Sequence, residues 1–569
     1  MAKDFTLNLE RFEGLRCSGD KTEELSLGES PEMVNFRITK GMKLKRREGY
    51  QKLFSAEESV RGIFCARFEA EKIYLAVIGN RLFSSREGFS ALSPLEGEIP
   101  GEEKVTFFSF CGEVYLLTGS GILKFDGEEV KPLEPYIPLL MISTPPDGSG
   151  VIYEEVNLLT RKVRQKFSPD GKSVHFRPII DDIKAVDWVK IDGVEKREDQ
   201  YYWNDADLVF TFVGAPDAGV DSMEIQYEIA GEDPCQRILG CRFASAFGGA
   251  SDTRAFLYGN RESAGIRYHS GIVEGKPSFS YFPETAFSLV GTGDAITSIV
   301  RHYDRQLIFT ESGAYYSYLE YMSGVEGNLF AAFPVLPLNE ERGCAPFGQA
   351  LLVENTPVTL TENGLFSWVS TSIRDERNAK LLSDPIDLIL QKEKAEEAVL
   401  FNCKKNSELY ICIDKNVYVY NYLLKLFYYY VLPKIRGFSE TEDGVFFYTE
   451  NGIFSMGGDT DDGEKICARW KSRELYFGTK EKLKKLFDVT VFASASDQGL
   501  FSVKLISSPD EKTKERKILF SLPDKSEKKK IKVSLERFSS LRVEILWDEE
   551  PSFHLEGMIL KGRRTDCET

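Results

Sequence analysis

Four histidines, His175, His269, His302 and His554, are all the imidazole chemistry this 569-residue chain offers. No two of them stand at metal-ligand spacing, so each reads as a structural or surface histidine. The ten cysteines, at 17, 65, 111, 235, 241, 344, 403, 412, 467 and 567, include no Cys-x-x-Cys pair. Cys65, Cys403 and Cys412 fall inside apolar runs, and buried free thiols are expected rather than disulfides or a zinc cage. No nucleophile elbow, phosphate-binding loop or His-Glu-x-x-His segment occurs. Nothing here nominates a catalytic residue or a cofactor.

Carboxylates are abundant, with 89 Asp and Glu against 72 Lys and Arg and a formal net charge of −17. Glycoside hydrolysis needs two of them facing one cleft, with aromatic platforms for sugar. Glu113, Asp304 and Glu354 stand near strand–loop junctions, yet no pair is singled out, and turn or rim solvation is the expected role. The run Asp459-Thr460-Asp461-Asp462-Gly463-Glu464 gathers hard oxygen ligands. Asp459, Asp461 and Asp462 are its candidate metal ligands, but the rest of a calcium loop is missing, so a solvated linker without metal is expected. Near the other end, Lys43, Lys45, Arg46 and Arg47 form a cationic run. Beside so much negative charge it suits docking on an acidic protein surface, or plain solvation, better than binding nucleic acid. The overall charge argues against coating DNA or RNA, since phosphate contacts need a cationic face.

The elements that would position these groups are short strands. Four times a strand ends in a similar reverse turn: Thr118-Gly119-Ser120-Gly121, Thr310-Glu311-Ser312-Gly313, Thr361-Glu362-Asn363-Gly364 and Thr449-Glu450-Asn451-Gly452. Asn-Gly and Ser-Gly between extended runs predict primed hairpin turns with positive φ. Their recurrence predicts a repeated sheet module. Groups of three or four strands begin near residues 60, 105, 237, 296, 349, 398 and 437, the signature of β-propeller blades. Seven blades are counted, and six or eight fit nearly as well. The last group lacks an outer strand, and 50–54 is its natural donor, sealing the ring and removing exposed edges.

The predicted architecture is therefore all-β. An extended arm (1–46) precedes a propeller (47–140 and 236–460) that is interrupted by an inserted β-sandwich (141–235), and a C-terminal β-sandwich (461–569) follows. Asp384-Pro385 predicts one short helix over 386–396. No apolar run reaches the roughly 18 residues of a membrane helix. The start lacks a signal-like stretch, so folding in a cytoplasm, without membrane insertion, is expected.

The segment Glu29-Ser30-Pro31-Glu32-Met33-Val34-Asn35-Phe36-Arg37-Ile38, followed by Gly41-Met42-Lys43-Leu44-Lys45-Arg46-Arg47-Glu48-Gly49-Tyr50, resembles the opening of tailed-bacteriophage tail-hub and packaged-DNA-stabilisation proteins. The insert, with Val186-Asp187-Trp188-Val189-Lys190-Ile191-Asp192-Gly193 before Tyr201-Tyr202-Trp203-Asn204, is similar to phage tail modules. Many family members have Arg-Pro-Gly-Tyr where this chain has Arg47-Glu48-Gly49-Tyr50. The resemblance implies a structural protein of the virion tail, not an enzyme, made in the bacterial cytoplasm. It implies a homo-oligomeric ring, often of six copies, below portal and adaptor, forming a nozzle that retains and conducts DNA without reading its sequence. Acidic loops around the lumen of such a ring would keep DNA from sticking. The rival readings are a carbohydrate-binding or adhesive propeller and a propeller glycoside hydrolase.

Overall fold

The computed structural model describes residues 4–17, 24–68, 71–249, 252–323, 329–369, 378–478, 480–495, 499–508, 512–520, 527–548 and 553–568. Seven four-stranded antiparallel units, here blades 1 to 7, dominate it. Their innermost strands are Val60–Phe68, Thr106–Phe110, Phe243–Gly248, Ile296–His302, Leu351–Val353, Val399–Cys403 and Gly437–Thr441. Each touches the next around the circle, and the last touches the first. The chain is thus a closed seven-bladed β-propeller.

The pattern of residues explains the stacking. A blade's second strand is covered on both faces by neighbouring blades, so it is apolar throughout instead of alternating. Glu408–Ile413 is buried at every position, as are the last six residues of Glu71–Ile78. Aromatic pairs bridge adjacent inner strands, with Phe64 stacked on Phe107 (5.4 Å between centroids) and Phe401 on Phe438 (4.3 Å). The closing strand comes from before the first blade. Tyr50–Ser55 pairs antiparallel with Gly452–Met456 and completes blade 7.

The recurrent turns form by a different device from the one predicted. Asn363 and Asn451 stay out of the left-handed region, and of the four terminal glycines only Gly364 has positive φ. The threonine makes the turn instead. Thr361 Oγ1 accepts the Asn363 N–H at 3.2 Å, Thr449 that of Asn451 at 3.3 Å, and Thr118 that of Ser120 at 3.1 Å. A hydroxyl that mimics a backbone turn removes the need for positive φ. Two-residue turns with positive φ at both positions occur at the opposite rim, at Cys111-Gly112 and Glu354-Asn355, between first and second strands.

Between blades 2 and 3 the chain leaves to build a six-stranded sheet and a three-stranded sheet. Phe167, Phe176, Phe210, Ile225 and Tyr227 are buried between them in one sandwich core. The return differs from the predicted strand over 237–247. Gln236–Leu239 is a helical turn, because the Asp233 carboxylate accepts the Cys235 N–H at 3.0 Å and starts the chain coiling after Pro234. The helix expected over 386–396 is likewise only Asp387–Leu390, with 3₁₀ turns on either side.

The segment expected as a separate arm is woven into the C-terminal sandwich. Asp4–Leu9 and Leu44–Arg46 both pair with Phe553–Glu568, and Phe36–Ile38 pairs with Leu44–Arg46. Glu32–Val34 joins the other sheet through Ala468–Lys471. Leu9, Phe12, Met33, Phe36 and Leu44 are buried in its core. Strands of three residues are too short to show an alternation, which hid them. Among the described residues, no helix is long and apolar enough to cross a membrane.

Candidate functional site at the arm clasp and the channel mouth

The basic and acidic runs singled out by sequence prove to be two halves of one internal clasp. Arg47 is 3% exposed. Its guanidinium donates to both Asp461 carboxylate oxygens at 2.8 and 2.5 Å, to Asn35 Oδ1 at 2.9 Å and to the Val431 carbonyl at 3.0 Å. Arg46 is also buried, 4.9 Å from the Trp547 ring centre, and donates to the Asp459 carbonyl at 3.1 Å. Gly49 lies so close to Thr460 that a Cβ there would sit 1.9 Å from its carbonyl oxygen. Arg46 and Arg47 are therefore not a partner-docking patch, as expected from sequence; they dock the chain on itself. Lys43 pairs with Glu556 at 2.7 Å, and Lys45 lies in a strand whose register sets it opposite His554.

The candidate metal ligands are spent in the same clasp. Asp461 holds the Arg47 guanidinium, while Asp462 accepts the Lys52 N–H at 3.1 Å and faces its ammonium at 3.7 Å. Asp459 contributes only its carbonyl to Arg46 among these contacts. The acidic loop is not a solvated linker: Thr460–Asp461 and Glu464–Lys465 form a small hairpin on the edge of the closing strand. Each run looked unpaired because its counter-charge lies more than 400 residues away.

Sequence reasoning missed the axial channel. A cavity of about 960 Å³ opens at the end where the inner strands begin. Lys104, Arg242, Lys434 and Arg436 line it together with Glu102, Glu103, Glu396 and Glu397. Each of these residues lies at or just before the start of an inner strand, and that recurrent position is the signal that could have found them. Glu103 is held by Arg242 at 2.8 Å and by Arg261. Glu397 pairs with Lys394 at 2.9 Å, and Arg436 donates to Ser59 Oγ at 2.8 Å. Crowding by the channel wall, then the charges of Arg436, Arg242 and Lys434, push the Lys104 amine down to about 8.

The carboxylates considered for hydrolysis are not brought together there. Glu113, Asp304 and Glu354 sit in blades 2, 4 and 5, at the hairpins that follow the inner strands, the rim opposite the mouth. Glu113 accepts the Tyr115 hydroxyl at 2.7 Å and pairs with Lys124 at 2.5 Å. The histidines are equally dispersed: His175 contacts Thr211 Oγ1 at 3.1 Å in the insert, His302 packs against Tyr303, and His269 is interior. Cys241, Cys344, Cys403 and Cys412 are buried free thiols, and burial pushes that of Cys403 up to about 11.

The fold and these sites define a β-propeller protein with two sandwich domains, whose distinctive chemistry is charge, internal at the clasp and solvated at the channel. No protein-family model and no curated protein matches the chain. Solved structures similar to it include PorZ, a surface component of the type-IX secretion system of Porphyromonas gingivalis, at 11% identity over 74% of this chain with a TM-score of 0.33. The match spans only 42% of the PorZ chain. YCF48 bound to D1 peptide matches at 12% identity over 72% of this chain and 95% of its own, also with a TM-score of 0.33. An exo-β-1,3-galactanase of Phanerochaete chrysosporium matches at 9% identity over 90% of this chain and 99% of its own, with a TM-score of 0.22.

Proposed function

We propose that the protein is a non-catalytic building block of a tailed phage or prophage particle, a subunit of a homo-oligomeric tail ring through which DNA passes. The observation that carries this reading is the apolar surface of the inserted sandwich. Val151, Ile152, Tyr153, Val194, Val213 and Val220 are all more than half exposed within one small domain. Val151, Ile152 and Tyr153 are consecutive and lie at one edge of the insert's larger sheet, and an exposed apolar run on a sheet edge suits a contact with another macromolecule. The resemblance to tail-hub proteins supplies the partners: further copies of this chain around the ring, and portal, adaptor and tail proteins along its axis. Of the residues that carry the resemblance, Arg47, Gly49 and Tyr50 lie at the strand that closes the propeller, which favours a role resting on stiffness.

A sugar-binding propeller finds less support. Trp368, Trp470 and Trp547 are buried and provide no platform for a glycan. Mass photometry and negative-stain imaging of the purified protein test the reading. Closed rings, lost when Ile152 and Val220 are both changed to Asp, are the expected result. A monomer at every concentration up to the solubility limit overturns it.

A further inference from the structure

Among the described residues, one fully buried guanidinium donates to neutral side chains and a carbonyl and to no carboxylate. Arg267, on the strand Ile266–His269 of blade 3, is fully buried. It donates to three neutral acceptors on or beside blade 4: Gln306 Oε1, Ser317 Oγ at 2.8 Å and the Phe333 carbonyl at 2.8 Å. Its Nε–H has no partner. Among the described residues no carboxylate pairs with it, and burial alone depresses its guanidinium, to about 9. Asp252, just before the second strand of blade 3, is held by Arg254 at 2.5 Å.

The surroundings repeat the imbalance. Register places Phe256 opposite His269, and Arg254 and Arg267 share that sheet face by the two-residue period. Arg267 lies 4.8 Å from the Phe256 ring centre, against which His269 stacks at 5.4 Å, while Phe333 meets the imidazole edge-on at 5.1 Å. His269 Nδ1, Gln306 Nε2 and Arg254 Nε are also buried without partners. Burial and then the two arginines hold the His269 imidazole in its neutral form, in which Nδ1 is one of the two nitrogens that can carry the proton. Against these donors stands one buried acceptor without a hydrogen bond, Asp252 Oδ1, which faces Arg254 in an ion pair, so donors outnumber acceptors in a wedge walled by aromatic rings. An uncompensated buried charge costs several kcal/mol, and a single anion relieves it.

We infer that the wedge between blades 3 and 4 binds one small inorganic anion of halide type, held by Arg267 Nε, Gln306 Nε2 and His269 Nδ1. The aromatic walls leave few donors for the oxygens of phosphate or sulfate, and a spherical ion needs only three or four.

The test is a bromide-grown crystal of the full chain, with data collected at the bromine absorption edge. An anomalous peak in contact with Arg267 Nε is expected. Density of water strength without anomalous signal overturns the proposal. In solution, protein prepared free of halide should gain thermal stability saturably with chloride, by at least about 2 °C, and not with fluoride at equal ionic strength. Arg267→Met should abolish that difference. Equal responses to the two salts in the unaltered protein overturn the inference even if the variant fails to fold.

Discussion

Lys104 and Arg47 show two fates of a cation in an acidic molecule. Crowding by the channel wall, then the neighbouring cations, bring the Lys104 amine down to about 8 in the folded state, while the unfolded chain holds its proton to about 10.5. The unfolded state therefore binds more protons between those values, and this residue's contribution to stability rises with pH across that window. Acetylation with limiting reagent at pH 8 should modify Lys104 ahead of Lys72 and Lys131, whose ammonium groups neighbouring carboxylates hold above the ordinary range. Peptide mapping that ranks Lys104 with or behind them would contradict the channel electrostatics. Arg47 is the opposite case, buried with its partner. Arg47→Met strands Asp461 inside the clasp and should cost about 3 kcal/mol in urea unfolding. Lys43→Ala, which breaks a half-exposed pair with Glu556, should cost less than about 1 kcal/mol.

At the level of strands, the N-terminal segment behaves as a cover for sheet edges. Deleting residues 1–9 uncovers one side of Phe553–Glu568 along a register running from Met558 to Arg563. The expected outcome is concentration-dependent association in light scattering and faster amide exchange over 558–563, because an unpaired edge recruits other strands. A truncated protein that stays monodisperse with unchanged exchange would show that the edge needs no cover. These same strands mark the limit of what the sequence made legible. The blades were readable because most second strands hold a short apolar stretch between turn residues, as in Glu71–Ile78 and Glu408–Ile413, and the donor role of 50–54 followed from the missing outer strand of blade 7. Glu32–Val34 was not readable: three residues pair with Ala468–Lys471 across most of the chain, and no local pattern encodes such a partner. The lysine-rich stretch after 480 conceals a strand for a related reason. It begins the long strand Lys482–Ala495, where Leu486 turns inward and even Lys484 is buried, its ammonium on the Ser539 carbonyl at 2.7 Å. The clasp was half legible, its residues noticed for charge and assigned outward because their partners were distant. The channel mouth went unseen because its residues converge only once the ring has closed.

For the whole molecule, charge is distributed unevenly against a net of −17. The channel mouth interleaves both signs and is not an acidic lining. The propeller and the C-terminal sandwich share one N-terminal segment, whose strands complete sheets in both. That sharing has a consequence for biosynthesis. Asp4–Leu9 leaves the ribosome more than 500 residues before Phe553–Glu568 exists to receive it. At about 5–20 residues per second it waits roughly half a minute to two minutes with its hydrogen-bonding groups open. The nascent chain can stack its blades as they emerge, yet both bodies stay unlatched until Phe553–Glu568 has been made, and a chaperone has its longest opportunity at Asp4–Leu9.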